Sequence, residues 1–418
     1  MKNTILSRSF FAALLLMGIS SCKDDKSEPL PITSETEVTA LKVSDAPAID
    51  GTIDANWSNC DVLSTTMVVP DPGGNTPITG GNYFRGYVGD SYKITMKAMY
   101  DAEYIYFLAE WNDSKADLNR NPWYFDPATK RWKQESRYPA FDASGNQTRD
   151  GFYEDKFAVL WNVNESMANF NSLGCYATCH TGLDLATHYN APALHYTNSA
   201  SEKIDMWHWK SVRTGLYNDG AGVGKLEGQI DDQFQDNDEF GHSGTTAEGG
   251  RKSDSKTSGG YADNKQSLTI TGTTEAVNVP KYVIPGKTNY YAILQSEIDG
   301  ATAKLITAVD ANGILTYDGG TIDPNTDVQF QRSGATTGSK CIPSVSISPI
   351  VGDRGDISMA AVHVGTGWVM EMKRKLQTGS ATDVQFDPTK SFVFGVGIFD
   401  NSALAHAIQS KLTLKFAQ

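Results

Sequence analysis

The residues best equipped for chemistry in this chain are Gly174-Cys175-Tyr176-Ala177-Thr178-Cys179-His180. Two thiols stand four apart, and a histidine follows the second directly. On a helical turn, residues i and i+4 share a face. Both sulfurs can then reach one flat ligand, with the imidazole beneath its centre. The usual attachment signature for c-type haem is C-x-x-C-H. Here the spacing is one residue longer, C-x-x-x-C-H. That chemistry needs two thiols to add across the haem vinyl groups and a neutral imidazole to hold the iron. The competing readings are a local disulfide, a zinc half-site, or two unrelated cysteines.

A second dense stretch is Ile204-Asp205-Met206-Trp207-His208-Trp209-Lys210. Read as a strand, it puts Trp207 and Trp209 on one face and Met206 and His208 on the other. One face can line a flat apolar ligand, although tryptophans serve equally well as plain core. Arg213 follows shortly after. It is a candidate partner for a haem propionate, though most arginines simply face water.

The elements that must position these residues read as strands. Asp50-Gly51 is a turn dipeptide flanked by short alternating runs up to Trp57. Tyr92–Tyr100 alternates with period 2, turns at Asp101-Ala102-Glu103, and returns through Tyr104–Trp111 as a hairpin. Phe152–Trp161 is strand again, and the cysteines follow on a loop at the end of that sheet. Gly367–Leu376, Asp383–Phe386, Ser391–Phe399 and Leu412–Phe416 complete the set. Helical periodicity is scarce. The expected class is all-β: an antiparallel β-sandwich, immunoglobulin- or jelly-roll-like, with long loop insertions and few short helices. Residues 112–150 are polar but carry Trp123, Tyr124 and Trp132, so they read as an ordered excursion. Residues 217–262 are rich in Gly, Ser and Asp and read as a long surface insertion. Its acids (Asp231, Asp232, Asp236, Asp238, Glu239) read as a solvated charge run rather than a calcium site, because EF-hand spacing is absent.

The chain begins with Lys2 and Arg8 ahead of a short apolar run, Phe10–Ile19, too short to span a membrane. Residues 1–21 read as a signal peptide. Ile19-Ser20-Ser21-Cys22 resembles a bacterial lipobox, which makes Cys22 a lipidated first residue. Residues 22–39 are then a flexible tether, and 40–418 a haem-binding sandwich. The net charge is −13 over 418 residues, which argues against nucleic acid or an anionic surface as partner. Cys60 and Cys341 are left over, and an oxidising compartment lets such a pair bond.

In order along the chain, several stretches carry a family resemblance. They are Asp50-Gly51 with Trp57, Tyr104-Ile105-Tyr106 ending in Trp111, Glu154-Asp155-Lys156 before Trp161, and Gly174-Cys175 to His180. Trp207-His208-Trp209-Lys210 with Arg213, and Arg374-Lys375-Leu376-Gln377-Thr378-Gly379, complete them. From about Ala48 to the end the chain resembles the ethylbenzene-dehydrogenase-related haem-binding family, also called the cytochrome c-552/dimethylsulfoxide-reductase-like haem-binding domain. Its opening third also resembles family 9 carbohydrate-binding modules. The resemblance implies a β-sandwich that buries one haem between loops and sheet. Some members hold b-type haem through methionine and lysine. The cysteines here depart from that pattern and imply one covalent haem c per chain, with His180 as proximal ligand.

For the distal ligand, His406 is preferred, because imidazole binds iron at neutral pH while lysine must first lose a proton. Lys411, Met206 and His208 are the alternatives, and an open position is a further one. The expected function is electron transfer by a lipid-anchored haem protein of the cell envelope, held in the outer membrane through Cys22, with a redox partner that the sequence does not name. No hydrolase motif of the G-x-S-x-G or H-E-x-x-H kind is present. A surface carbohydrate-binding lipoprotein and a haem-based sensor or redox-enzyme subunit are the alternatives.

Overall fold

The computed structural model describes residues 31–71, 84–178, 197, 199, 201–217, 225–235, 251–254, 258–288, 290–332 and 340–418. No described helix is long and apolar enough to cross a membrane. The strands that matter for the site are β1 (Glu37–Lys42), β2 (Val62–Val68), β3 (Ser91–Tyr100), β4 (Tyr104–Asn112), β5 (Lys156–Asn162), β6 (Ile204–Lys210), β7 (Lys225–Gln229), β8 (Asp231–Gln235), β9 (Ser358–His363), β10 (Gly367–Lys375), β11 (Phe392–Phe399) and β12 (Ala407–Phe416).

They belong to one fifteen-stranded sheet. Its order runs β7, β9, β10, β4, β3, β1, β12, β11, β5, β6, β8, with the short strands Gly215–Tyr217 and Arg251–Ser253 at the two ends. β2 pairs alongside β3. Most neighbours are antiparallel. The exceptions are β1, which runs parallel to both β12 and β3, and the two-residue strand Thr33–Ser34, which runs parallel to β2.

Aromatic contacts show how this sheet closes. Phe107 of β4 meets Trp161 of β5 at 6.0 Å and Trp207 of β6 at 5.9 Å between ring centroids. Trp111 stacks on Phe157 at 5.2 Å and packs on Trp209 at 6.0 Å. These strands are far apart in the sheet order, so the sheet folds back and its two arms pack face to face. The core is the layer between them, where large aromatics give the most apolar burial per residue. The all-β sandwich with few short helices is therefore the observed architecture.

The excursion at 112–150 is anchored. Trp123–Asp126 and Arg131–Gln134 pair as a hairpin. Trp123, Phe125 and Trp132 share a second hydrophobic cluster with Ile270, Ile306, Leu315 and Ile342. The stretch at 217–262 is less peripheral than its composition suggests. β7 and β8 are both built into the large sheet, and Asp231 and Asp232 are fully buried. Their burial corrects the reading of these two as a solvated charge run. Asp231 accepts from Lys210 and from Arg354. Burial would raise its carboxyl, but Lys210 and Arg354 outweigh that and hold it at about 2. Asp236, Asp238 and Glu239 lie outside the described residues.

Cys60 is a buried reduced thiol in a cluster with Trp57, Met99, Tyr106 and Leu108. Cys341 lies beside Glu135 and directly precedes Ile342 of the second cluster. The two cysteines belong to different packing units, and the disulfide between them is not formed.

Candidate functional site

The site is built on the outer face of β11. In Phe394-Gly395-Val396-Gly397-Ile398, the residues Phe394, Val396 and Ile398 enter the core. Side chains alternate along a strand, so Gly395 and Gly397 lie on the opposite face, about 6.7 Å apart. Across the sheet Gly397 pairs with Ala158 and then His208, while Gly395 pairs with Leu160 and then Met206. Two glycines and an alanine leave a low floor there, bordered by Leu160, Met206 and His208.

Two groups come down onto this floor from elsewhere in the chain. The first is Cys175, on the 3-10 turn Gly174–Thr178. A methyl group at Gly395 would lie 2.7 Å from both Cβ and Sγ of Cys175. The turn is thus seated directly on the glycine. It belongs to a cluster with Ala158, Leu160, Met167, Phe170, Ile204 and Met206. Thr178 Oγ1 donates to the Cys175 carbonyl at 3.0 Å and tightens the turn. Gly174 has φ +61°, and a Cβ there would lie 1.7 Å from the Ser410 carbonyl oxygen, so only glycine fits. The register of β11 against β12 shifts between Phe394 and Val396, opposite this docking point. Bulges of this kind re-aim the chain next to sites.

The second group is His406, just before β12. Its Cδ2 lies 3.3 Å from where a Cβ of Gly397 would stand. Its ring stacks on Phe399 at 4.5 Å, and Phe399 also stacks with His208 at 6.0 Å. Nδ1 is 2.8 Å from the Leu404 carbonyl oxygen. A carbonyl only accepts, so Nδ1 carries the proton and Nε2 presents the bare lone pair. Desolvation, aided by the charge of Lys156, holds the imidazole down to about 4 against the opposing hydrogen bond. His406 is therefore neutral at physiological pH, the protonation state in which imidazole binds a metal.

The sequence-derived residues fall into three groups. Cys175, Met206, His208 and His406 share this outer face. Trp207 and Arg213 do not. Trp207 is on the inner face, in the main core against Phe107 and Trp161, because strand alternation turns it away from Met206. The guanidinium of Arg213 is held by buried Glu154, with Tyr153 and Tyr261 around it. Burial works against the charge of Glu154, but Arg213, Arg120 and Lys156 prevail and keep its carboxyl below the ordinary range. Lys411 is exposed on β12. Cys179, His180 and Cys22 lie outside the described residues.

Other recurrent stretches are scaffold. Glu371 accepts from the Asp50 and Gly51 amides at 3.2 and 2.9 Å and from Trp57 Nε1 at 3.1 Å, fixing the opening turn. Asp155 accepts from Trp368 Nε1 at 3.2 Å and from the Asp117 and Asn401 amides at 2.7 and 3.0 Å. Sequence reasoning missed the glycine floor. Its signal was present: glycine at alternate positions inside an otherwise apolar strand marks a close approach by backbone or ligand.

Cys175 sits over Gly395 and the neutral His406 ring over Gly397, on one face of the strand where a Cβ would crowd either group. A family model described as "Ethylbenzene dehydrogenase" matches residues 54–411. No curated protein matches the sequence. Among solved structures, a family 9 carbohydrate-binding module from Caldicellulosiruptor kristjanssonii in complex with glucose is similar at 9% identity and a TM-score of 0.25, covering 91% of this chain and 94% of that one. The same module in complex with cellotriose is similar at 9% identity and a TM-score of 0.24, with coverages of 91% and 93%.

Proposed function

The chain belongs to the ethylbenzene dehydrogenase family, and from that premise we propose that it is a c-type haem protein that transfers electrons in the cell envelope. One observation carries the reading: Cys175 on Gly395 and a neutral His406 on Gly397 share one face of β11. Cys175 and Cys179 would hold the ring covalently, and His180 and the unprotonated Nε2 of His406 would bind its iron. Met206, Leu160 and Phe399 supply apolar surround, and axial ligation is one of the main levers on potential. When bound, the haem supplies one-electron exchange between ferrous and ferric iron. The protein's own part is to fix the sulfur, keep the imidazole in the right tautomer and exclude water from one side. It is a carrier rather than a catalyst in this reading, anchored by lipid at Cys22 and served by a partner protein.

The test is a pyridine haemochrome spectrum, with the mass of the acid-denatured chain, on protein matured with c-type assembly machinery. The expected result is one haem per chain with a two-thioether band. A denatured mass equal to the bare polypeptide, despite adequate haem supply, refutes it.

A further inference from the structure

A second cluster of chemistry lies away from the glycine floor. Asp205, Asp232, Asp254 and Asp383 are buried, and Asp353 and Asp356 are half-buried beside them. They come from five separate stretches of chain. Arg374 is the basic group among them. Its NH1 lies 2.9 Å from Asp205 and its NH2 2.7 Å from Asp383, while Nε is 3.9 Å from Asp232. Nearby Arg354 is committed to Asp231. One guanidinium thus serves three buried carboxylates, and the fourth, Asp254, lies beyond its contacts.

Their oxygens are not otherwise satisfied. Neither oxygen of Asp254, neither oxygen of Asp232, and not Oδ1 of Asp205 accepts from an N–H or from a hydroxyl; they meet only other carboxyls, Asp254 that of Asp383 and Asp205 that of Asp232. A buried carboxylate without donor or counter-ion is costly enough that such groups are paired or bind metal. Two triads, Asp205/Asp232/Asp383 and Asp254/Asp353/Asp383, each bring one oxygen per residue within 4.8 Å of one another. That is the diameter of an oxygen shell at about 2.4 Å from a calcium ion. Arg374 serves all three members of the first triad but meets the second only through the shared Asp383, and the Asp353 edge of the second is partly open to solvent. Ser380 donates to Asp353 at 2.7 Å and lies 2.8 Å from Thr382, adding hydroxyl oxygens at the rim. Every donor in the cluster is oxygen, with no imidazole or thiol, which selects a hard cation. Irregular carboxylates from loops suit calcium better than magnesium, which demands near-octahedral order.

We propose that Asp254, Asp353 and Asp383 bind a calcium ion that ties the outer edge of the sheet, next to β8, to the loops at 353 and 380–384. The ion completes the neutralisation that Arg374 begins. It stiffens the arm carrying β6, whose Asp205 faces the cluster while Met206 faces the glycine floor. The experiment uses the full chain, with elemental analysis and thermal melts in EGTA, calcium chloride or magnesium chloride. One calcium per chain is expected. Calcium at a hundredfold excess over Kd is expected to raise Tm by roughly 3 °C or more, and magnesium to do much less. Asp254→Asn, which keeps the shape of the side chain, should fold in EGTA and lose the calcium shift. Equal melting in EGTA and millimolar calcium with no bound metal overturns the proposal. So does a full calcium shift in Asp254→Asn.

Discussion

Replacing Gly395 by alanine tests the seat of Cys175 directly. Gly395 does not have positive φ, so alanine is at ease in the backbone and only crowding opposes it. The new methyl would lie 2.7 Å from Cβ and Sγ of Cys175 and 2.9 Å from the Ser410 carbonyl oxygen. Carbon atoms in good contact stand about 3.5–4.0 Å apart, so the turn must lift by about 1 Å. Overpacking of this kind costs about 1–3 kcal/mol. A chain of this length has an unfolding entropy of roughly 0.8 kcal/mol/K, so Tm falls by about 1–4 °C. On the proposed haem attachment, the displaced sulfur should miss its vinyl group and the haemochrome band should move toward that of a single thioether. Gly397→Ala is the control, because its nearest contact is the His406 ring at 3.3 Å, which need give by only a few tenths of an ångström. Circular dichroism melts give the first number and haemochrome spectra the second. Native stability together with a two-thioether band in Gly395→Ala refutes the seating argument.

Other perturbations separate the remaining roles. His406→Ala should keep the thioether-bound haem but lose the low-spin spectrum, while Lys411→Ala should keep both; the reverse pattern assigns the ligand to Lys411. Arg374→Met leaves Asp205 and Asp383 buried without their cation and should cost about 3–5 kcal/mol in urea unfolding, with partial recovery in Arg374→Met/Asp205→Asn. Asp400 is raised to about 7 by burial and by repulsion from Asp113 and Asp117. A carboxyl with a raised folded pKa stabilises fully at low pH and loses that contribution as pH climbs from about 4 to 7. Asn mimics the protonated form, so Asp400→Asn should gain Tm relative to the native chain across that window. A difference independent of pH contradicts this.

Much of the scaffold was legible because strand alternation is a local signal. The hairpin at 92–111 forms as Ser91–Tyr100 and Tyr104–Asn112, and the run at 204–210 forms as one strand. Alternation also separated Met206 and His208 from the tryptophans. It could not say which face met Cys175, since that depends on a turn docking on a strand more than 200 residues later. The strands within 217–262 were hidden by composition. Asp231 and Asp232 look solvated in sequence, and their burial depends on Lys210, Arg354 and Arg374, none of them a near neighbour. His406 was legible as a ligand candidate, but its tautomer comes from the Leu404 carbonyl. The role of Gly395 and Gly397 was readable from a glycine repeat within a strand, once the face they occupy was known.

The parallel pairing of β1 with β12 sets the order of biosynthetic events. Val38 and Ala40 near the start are zipped to Leu414 and Phe416 at the very end. The last residues must therefore leave the ribosome before this seam can form. Contacts of such long sequence separation form slowly. The opening strand therefore lacks this flank until β12 has been made. Trimming even a few residues after Leu412 would deprive the opening strand of one flank, so late truncations should damage folding far more than their length suggests.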